Sequence, residues 1–86
     1  MTKAEAVDKV IESLRQFIGD KDLEIDGDTQ PIGGLGLESQ DGIAWAVDLE
    51  NFGFQLPDDL NPLVDDERHK ARSVDEIADL LQKYIR

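Results

Sequence analysis

The chain has no cysteine, a single histidine, one tryptophan and one tyrosine, and not one Lys or Arg between Asp22 and Glu67. Without cysteine there is no disulfide framework, no thiolate zinc site and no cysteine nucleophile. The lone histidine, His69, lies in the charged run Asp65-Asp66-Glu67-Arg68-His69-Lys70, where it reads as a solvent-facing side chain rather than a general base. No apolar run approaches the roughly 18 residues of a spanning helix. The opening Met1-Thr2-Lys3-Ala4-Glu5 lacks the apolar stretch of a secretory signal, so a cytoplasmic protein is expected. Basic residues are scarce throughout, with 9 Lys and Arg against 20 Asp and Glu, a net charge of −11. That balance argues against binding nucleic acid or an anionic membrane surface, both of which need cations to neutralise phosphate.

What is present is an ordinary globular complement: 86 residues, 40% of them hydrophobic, enough for one small domain spanning 1–86. A chain of this length has little room for a deep, water-shielded enzyme cleft, so no catalytic residues are assigned. The charge is unevenly spread. The 46 residues from Asp22 to Glu67 hold 13 acids and no base, a local charge of −13, whereas the flanks together carry +2. Such a window either keeps a small domain soluble or presents a docking surface to basic partners. Composition does not separate the two.

The pattern along the chain is helical. Thr2-Lys3-Ala4-Glu5 has capping-box spacing, and Val7, Val10, Ile11, Leu14, Phe17 and Ile18 repeat as one apolar stripe, predicting a helix over 3–18 that Gly19 ends. Residues 20–38 read as a long loop, broken by Gly27, Pro31, Gly33, Gly34 and Gly36 but pinned to the core by Leu23, Ile25, Ile32, Leu35 and Leu37. Ser39 is placed to cap a second helix over about 40–52, with Ile43, Trp45, Ala46, Val47, Leu49 and Phe52 covering more than one stripe before Gly53, so this helix is expected to be largely buried or to line a cavity. Asn61-Pro62 has the form of an N-cap followed by Pro at the first helical position, predicting a short third helix over about 62–70. Ser73-Val74-Asp75-Glu76 is a second capping box, followed by Val74, Ile77, Ala78, Leu81, Tyr84 and Ile85 at helical spacing. The expected fold is all-α, a four-helix bundle of three long helices and a short third one, with a long loop after the first.

Several motifs fail on inspection. Gly33-Gly34-Leu35-Gly36 is followed by no Lys-Ser/Thr and has no base near it, so it is not a phosphate loop. The acids from Asp20 to Asp28 do not make an EF-hand, because the sixth and twelfth positions counted from Asp20 are Ile25 and Pro31. Only weak divalent binding is expected of that surface, and no metal site. Ser39 has no glycine two residues to either side, so it is not a nucleophile elbow. Ser39 does stand exposed where the long loop meets the second helix, in Leu35-Gly36-Leu37-Glu38-Ser39-Gln40-Asp41. The unpaired amides of a helix start favour an anionic group there. A plain N-cap serine explains the residue equally well.

Over nearly its whole length the chain resembles the acyl carrier protein family. The resemblance is carried by the first amphipathic helix, the pinned loop, Leu35-Gly36-Leu37-Glu38-Ser39, the run Leu49-Glu50-Asn51-Phe52-Gly53-Phe54-Gln55-Leu56-Pro57-Asp58, and Ser73-Val74-Asp75-Glu76-Ile77. It implies a covalent substrate carrier rather than an enzyme. Ser39 then bears a 4'-phosphopantetheine arm, taken from coenzyme A, whose terminal thiol holds acyl groups as thioesters. The implied partners are a phosphopantetheinyl transferase and acyl-activating, synthase and acyltransferase enzymes with basic docking patches. These would be met by Glu38, Gln40, Asp41, Ile43, Val47, Asp48 and Glu50 of a monomeric carrier. The chain departs from the family pattern at Glu38, which replaces Asp, and at Gln40, which replaces Leu. Ala44 and Ala46 thin the acidic helix, and the segment between Pro57 and Ser73 is lengthened.

These departures lead to the expectation of a specialised carrier in a dedicated fatty-acid, lipid or polyketide pathway. The start at Met1 and the end just after a helix read as a free-standing carrier. Trp45 reads as core, or else as a residue that narrows an acyl-sheltering cavity. Three other readings stay open: an aminoacyl or peptidyl carrier, an unmodified acidic interaction module that has lost the arm, and, more remotely, a hydrolase using Ser39.

Overall fold

A computed structural model describes all 86 residues, Met1–Arg86. Helix α1 (Lys3–Ile18) begins at the expected capping box: Thr2 Oγ1 accepts from the Glu5 amide at 3.2 Å, and Glu5 Oε1 reaches back to the Thr2 amide. It ends at Gly19, whose φ of 85° is the left-handed conformation glycine adopts without a Cβ penalty. Helix α4 (Val74–Leu81) has the same start, with Ser73 Oγ accepting from Glu76 N and Glu76 Oε1 from Ser73 N. The two helices pack against each other through Ala6, Val10 and Leu14 on one side and Ile77, Ala78 and Leu81 on the other. Lys3 Nζ ties their surfaces together by a 2.8 Å ion pair to Asp79.

Four of the five apolar residues expected to pin the long loop do so, whereas Leu23 is held through its carbonyl, which accepts from Arg15 Nε at 2.9 Å. Ile25, Ile32, Leu35 and Leu37 lie against the core. The loop also serves the last helix, since the carbonyls of Gly27 and Thr29 accept from the Asp75 and Val74 amides at 2.9 Å. These are two of the donors a helix start leaves unpaired. Within the loop Pro31–Gly34 forms a single short turn, α2, with Ile32 and Gly33 outside helical dihedrals. Helix α3 (Asp41–Leu49) then runs on into a 3₁₀ turn, Glu50–Phe52, which Gly53 closes at φ 94°.

Three expectations are corrected. The first concerns residues 62–70, which form no third helix. Val64–Asp65 (β1) and Lys70–Ala71 (β2) instead pair as a small antiparallel ribbon, Val64 opposite Ala71 and Asp65 opposite Lys70. Asn61 Oδ1 accepts from Leu63 N at 2.9 Å, and the Arg72 guanidinium gathers the carbonyls of Asn61, Pro62 and Val64. Carbonyls that a helix would use internally are thereby turned toward one side chain. His69, at the ribbon's tip, is solvent-exposed as expected but holds φ 53°, a left-handed conformation costing a non-glycine residue about 1 kcal/mol.

The second correction concerns the chain end. Tyr84 and Ile85 do not extend α4, which stops at Leu81. Residues 84–86 lie antiparallel to 53–55, with Gln55 N donating to Tyr84 O and Arg86 N to Gly53 O. The third is the all-α assignment itself: the molecule is a small helical globule with four helices and a two-strand ribbon. No helix is long and apolar enough to cross a membrane.

Candidate functional site

Ser39 sits exposed on the turn that leads into α3. It is not the N-cap the sequence led us to expect. That position falls to Gln40, which is already helical (φ −64°, ψ −23°) and makes no side-chain cap bond. No side chain caps α3: its first amides, Asp41 N and Gly42 N, donate to the carbonyls of Glu38 at 3.0 Å and Ser39 at 3.1 Å, while Asp41 Oδ2 accepts from Glu38 N at 2.8 Å and so holds the turn before the helix. A carboxylate in the first turn also meets the positive end of the helix dipole. Gln40 Nε2 donates to Glu38 Oε2 at 2.9 Å, so the residues flanking Ser39 bond to one another across it.

What the fold grips at Ser39 is its carbonyl. That oxygen accepts from Gly42 N at 3.1 Å and from Asn61 Nδ2 at 2.6 Å. Asn61 was invisible as a site residue, since Asn61-Pro62 reads locally as a helix start. Its carboxamide instead bridges Ser39 O and Leu63 N, locking the turn to the segment before the ribbon. Gly42, buried in the first turn of α3, makes this approach feasible, because a Cβ there would overlap the Asn61 carboxamide. A glycine inside a helix costs roughly 1 kcal/mol against alanine, and that cost was the one local signal that something packs close. The Ser39 hydroxyl meanwhile takes no partner within the protein.

The face of α3 that follows carries the remaining candidates. Ile43 and Val47, one turn apart, are 48% and 63% exposed. With Ala46, Glu50, Leu56, Pro57 and Asp58 they border an open groove of about 280 Å³. Glu38, Gln40 and Glu50 are also exposed, while Asp41 and Asp48 are half-buried. Asp41 is further committed to the Glu38 amide, which leaves it less free as a docking charge than its position suggests. Of the 13 acids between Asp22 and Glu67 only Asp65 has a basic partner, Arg68 at 3.8 Å. The opposite side of α3 is buried, with Trp45 and Leu49 in the core as expected for Trp45, but the helix is not largely buried, since Ile43 and Val47 face solvent.

The donor set bears on which groups this site can hold. Arg72, the cation bonded to the Asn61 carbonyl, is engaged with the carbonyls of Asn61, Pro62 and Val64, and no cluster of three or more His, Cys, Asp or Glu side chains is placed to hold a metal ion. An exposed hydroxyl without an internal partner, on a turn fixed through its own carbonyl, fits a covalently attached phosphodiester whose charge stays in solvent. The site and fold define a small helical domain with an exposed serine, its carbonyl hydrogen-bonded twice, beside an apolar and acidic helix face. No family model, curated protein or solved structure matches the chain.

Proposed function

We propose that the protein is an acyl carrier with an acyl-carrier-like helical bundle, and that Ser39 bears a 4'-phosphopantetheine arm transferred from coenzyme A. The observation that carries the reading is the Ser39 turn: its hydroxyl is free, its carbonyl is clamped by Asn61 and Gly42, and α3 begins directly after it. The arm supplies a terminal thiol on which acyl groups ride as thioesters, a role needing no cysteine in the chain. Ser39 holds the arm, and Asn61 and Asp41 position the turn.

Partner recognition in this reading falls to α3. Ile43 and Val47 offer apolar contact, and Glu38, Asp48 and Glu50 offer charge to a phosphopantetheinyl transferase and to acyl-activating, synthase or acyltransferase enzymes with basic patches. The carrier works as a monomer in the cytoplasm, in a specialised fatty-acid, lipid or polyketide pathway rather than in bulk synthesis. Gln40 removes the apolar contact expected after the serine, and the ribbon at 64–71 enlarges the region beyond Pro57.

The test is intact mass after incubation with coenzyme A and a broad-specificity phosphopantetheinyl transferase, beside Ser39→Ala. A gain of one phosphopantetheine group, absent in the variant, is the expected result. No gain with any transferase would point to an acidic interaction module, and loading by aminoacyl- rather than acyl-activating enzymes would make the carrier a peptidyl one.

A further inference from the structure

The interior of the molecule is built around one polar pair. Trp45, on the inward side of α3, is fully buried, and its Nε1–H donates at 2.9 Å to the Oγ of Ser13, equally buried on α1. Around them the core is apolar, with Val10, Leu14, Leu49, Ile77 and Leu81 among its members. No buried side-chain polar atom lacks a partner. An alkyl chain entering between α1 and α3 must displace the indole, the largest side chain in the core. Displacement breaks the bond and leaves an N–H and a hydroxyl unpaired where water does not reach. The surface concavities all lie outside the bundle. Those around Glu12 to Asp22 and around Arg68 to Lys83 are lined mainly by charged and polar side chains, and the part-apolar groove beside Ile43 and Val47 lies on the outer face of α3, bordered by Glu50 and Asp58.

We propose that the Trp45–Ser13 pair is a specificity determinant that closes the core to thioester cargo, so that an acyl group carried on Ser39 stays outside the bundle. The inference rests on the carrier reading of Ser39. It names the cargo class as short or polar acyl groups, since a long alkyl chain on the arm keeps its apolar surface in water. A carrier of this kind leaves its thioester open to partner enzymes and to solvent alike.

The experiment uses the single tryptophan as its reporter. The ¹⁵N-labelled protein is loaded through acetyl- and octanoyl-coenzyme A, the indole Nε1–H resonance is followed, and thioester cleavage by hydroxylamine is timed. An indole resonance unmoved by either chain, with both thioesters cleaved at the same rate, is expected. An indole shift appearing only with the octanoyl chain, together with slower cleavage, overturns the proposal. The double variant Ser13→Ala/Trp45→Leu, by opening the core, should slow octanoyl cleavage about tenfold, as a sheltered-to-exposed ratio near ten requires.

Should that variant not fold, Ser13→Ala alone keeps the ring and removes its acceptor, and the octanoyl chain should then move the indole resonance. If neither variant changes the behaviour of the octanoyl form, the pair is not the determinant. Failure of the carrier reading is separable, because it shows as no mass gain at Ser39. The closed core is then tested on Ser39→Cys, whose thiol is the only one in the chain, alkylated with an octyl group on a pantetheine-length spacer. An unmoved indole supports closure and a moved one refutes it.

Discussion

The Asn61 carboxamide donates to the Ser39 carbonyl at 2.6 Å and accepts from the Leu63 amide at 2.9 Å, so one side chain joins the serine turn to the segment that leads into the ribbon. The start of α3 therefore depends on a residue 22 positions away. Gly42 is the other half of this arrangement, because its missing side chain is the space Asn61 occupies.

The pair should behave as a coupled unit. Gly42→Ala improves helix propensity by roughly 1 kcal/mol yet forces the Asn61 carboxamide out, so a net destabilisation of about 1–3 kcal/mol is expected. Asn61→Ala costs about 1–2 kcal/mol through two lost hydrogen bonds. The double variant should be more stable than the sum of the singles predicts, by at least about 0.5 kcal/mol in a urea double-mutant cycle. Additive losses would mean that the two residues act apart. Under the proposed carrier function, phosphopantetheinylation of Asn61→Ala should also slow, because the serine turn loosens.

Ser13 and Trp45 form the buried counterpart. Ser13→Ala leaves the indole N–H without an acceptor in a dry core, and a loss of about 1–3 kcal/mol is expected in urea titration. Trp45→Phe removes the donor and part of the volume, at about 1–3 kcal/mol. Combining the two should recover part of the loss, since no orphaned polar group then remains.

Acid should weaken the fold partly through Glu76. The Ser73 amide and the Lys70 ammonium, at 2.9 Å, hold its carboxyl down to about 2 from an ordinary 4.5. The folded value lies below the unfolded one, so the ionised form favours folding. That contribution is whole above about pH 4.5 and drains away as pH falls toward about 2. The side chain is 36% exposed, and solvent screening keeps the effect to about 1 kcal/mol. Glu76→Gln should therefore lower stability at pH 7 and narrow its gap to the parent protein by pH 2. A gap independent of pH would assign the loss to packing at the cap.

Salt should act in the opposite direction. With 13 acids between Asp22 and Glu67 and one ion pair among them, repulsion within the fold is relieved by counterions. Raising NaCl to about 0.5 M should lift Tm by about 4–8 °C, the shift that about 1 kcal/mol produces in a domain of this size. A flat response would show that the acids already stand beyond screening distance of one another.

Local chemistry was enough to place α1 and the start of α4. Thr2 with Glu5 and Ser73 with Glu76 satisfy helix starts within four residues, and Gly19 provides a stop that needs no neighbour. Ser39, its exposure and the apolar stripe through Trp45 were legible for the same reason: period and spacing act over one or two turns. The errors lie where distant groups compete for the backbone. Asn61-Pro62 carries a helix-start signal, but Arg72 draws the carbonyls of Asn61, Pro62 and Val64 to itself and the segment becomes a ribbon. Tyr84 and Ile85 continue the helical period, yet pairing with 53–55 satisfies their backbone another way. Ser39 lost its capping role to the backbone, because the carbonyls of Glu38 and Ser39 itself take the first amides of α3. The clamp on the Ser39 carbonyl and the bond between Ser13 and Trp45 span 22 and 32 residues. Hydrogen bonds of that reach have no periodic signature, because loop closure and packing choose them only after the helices have met.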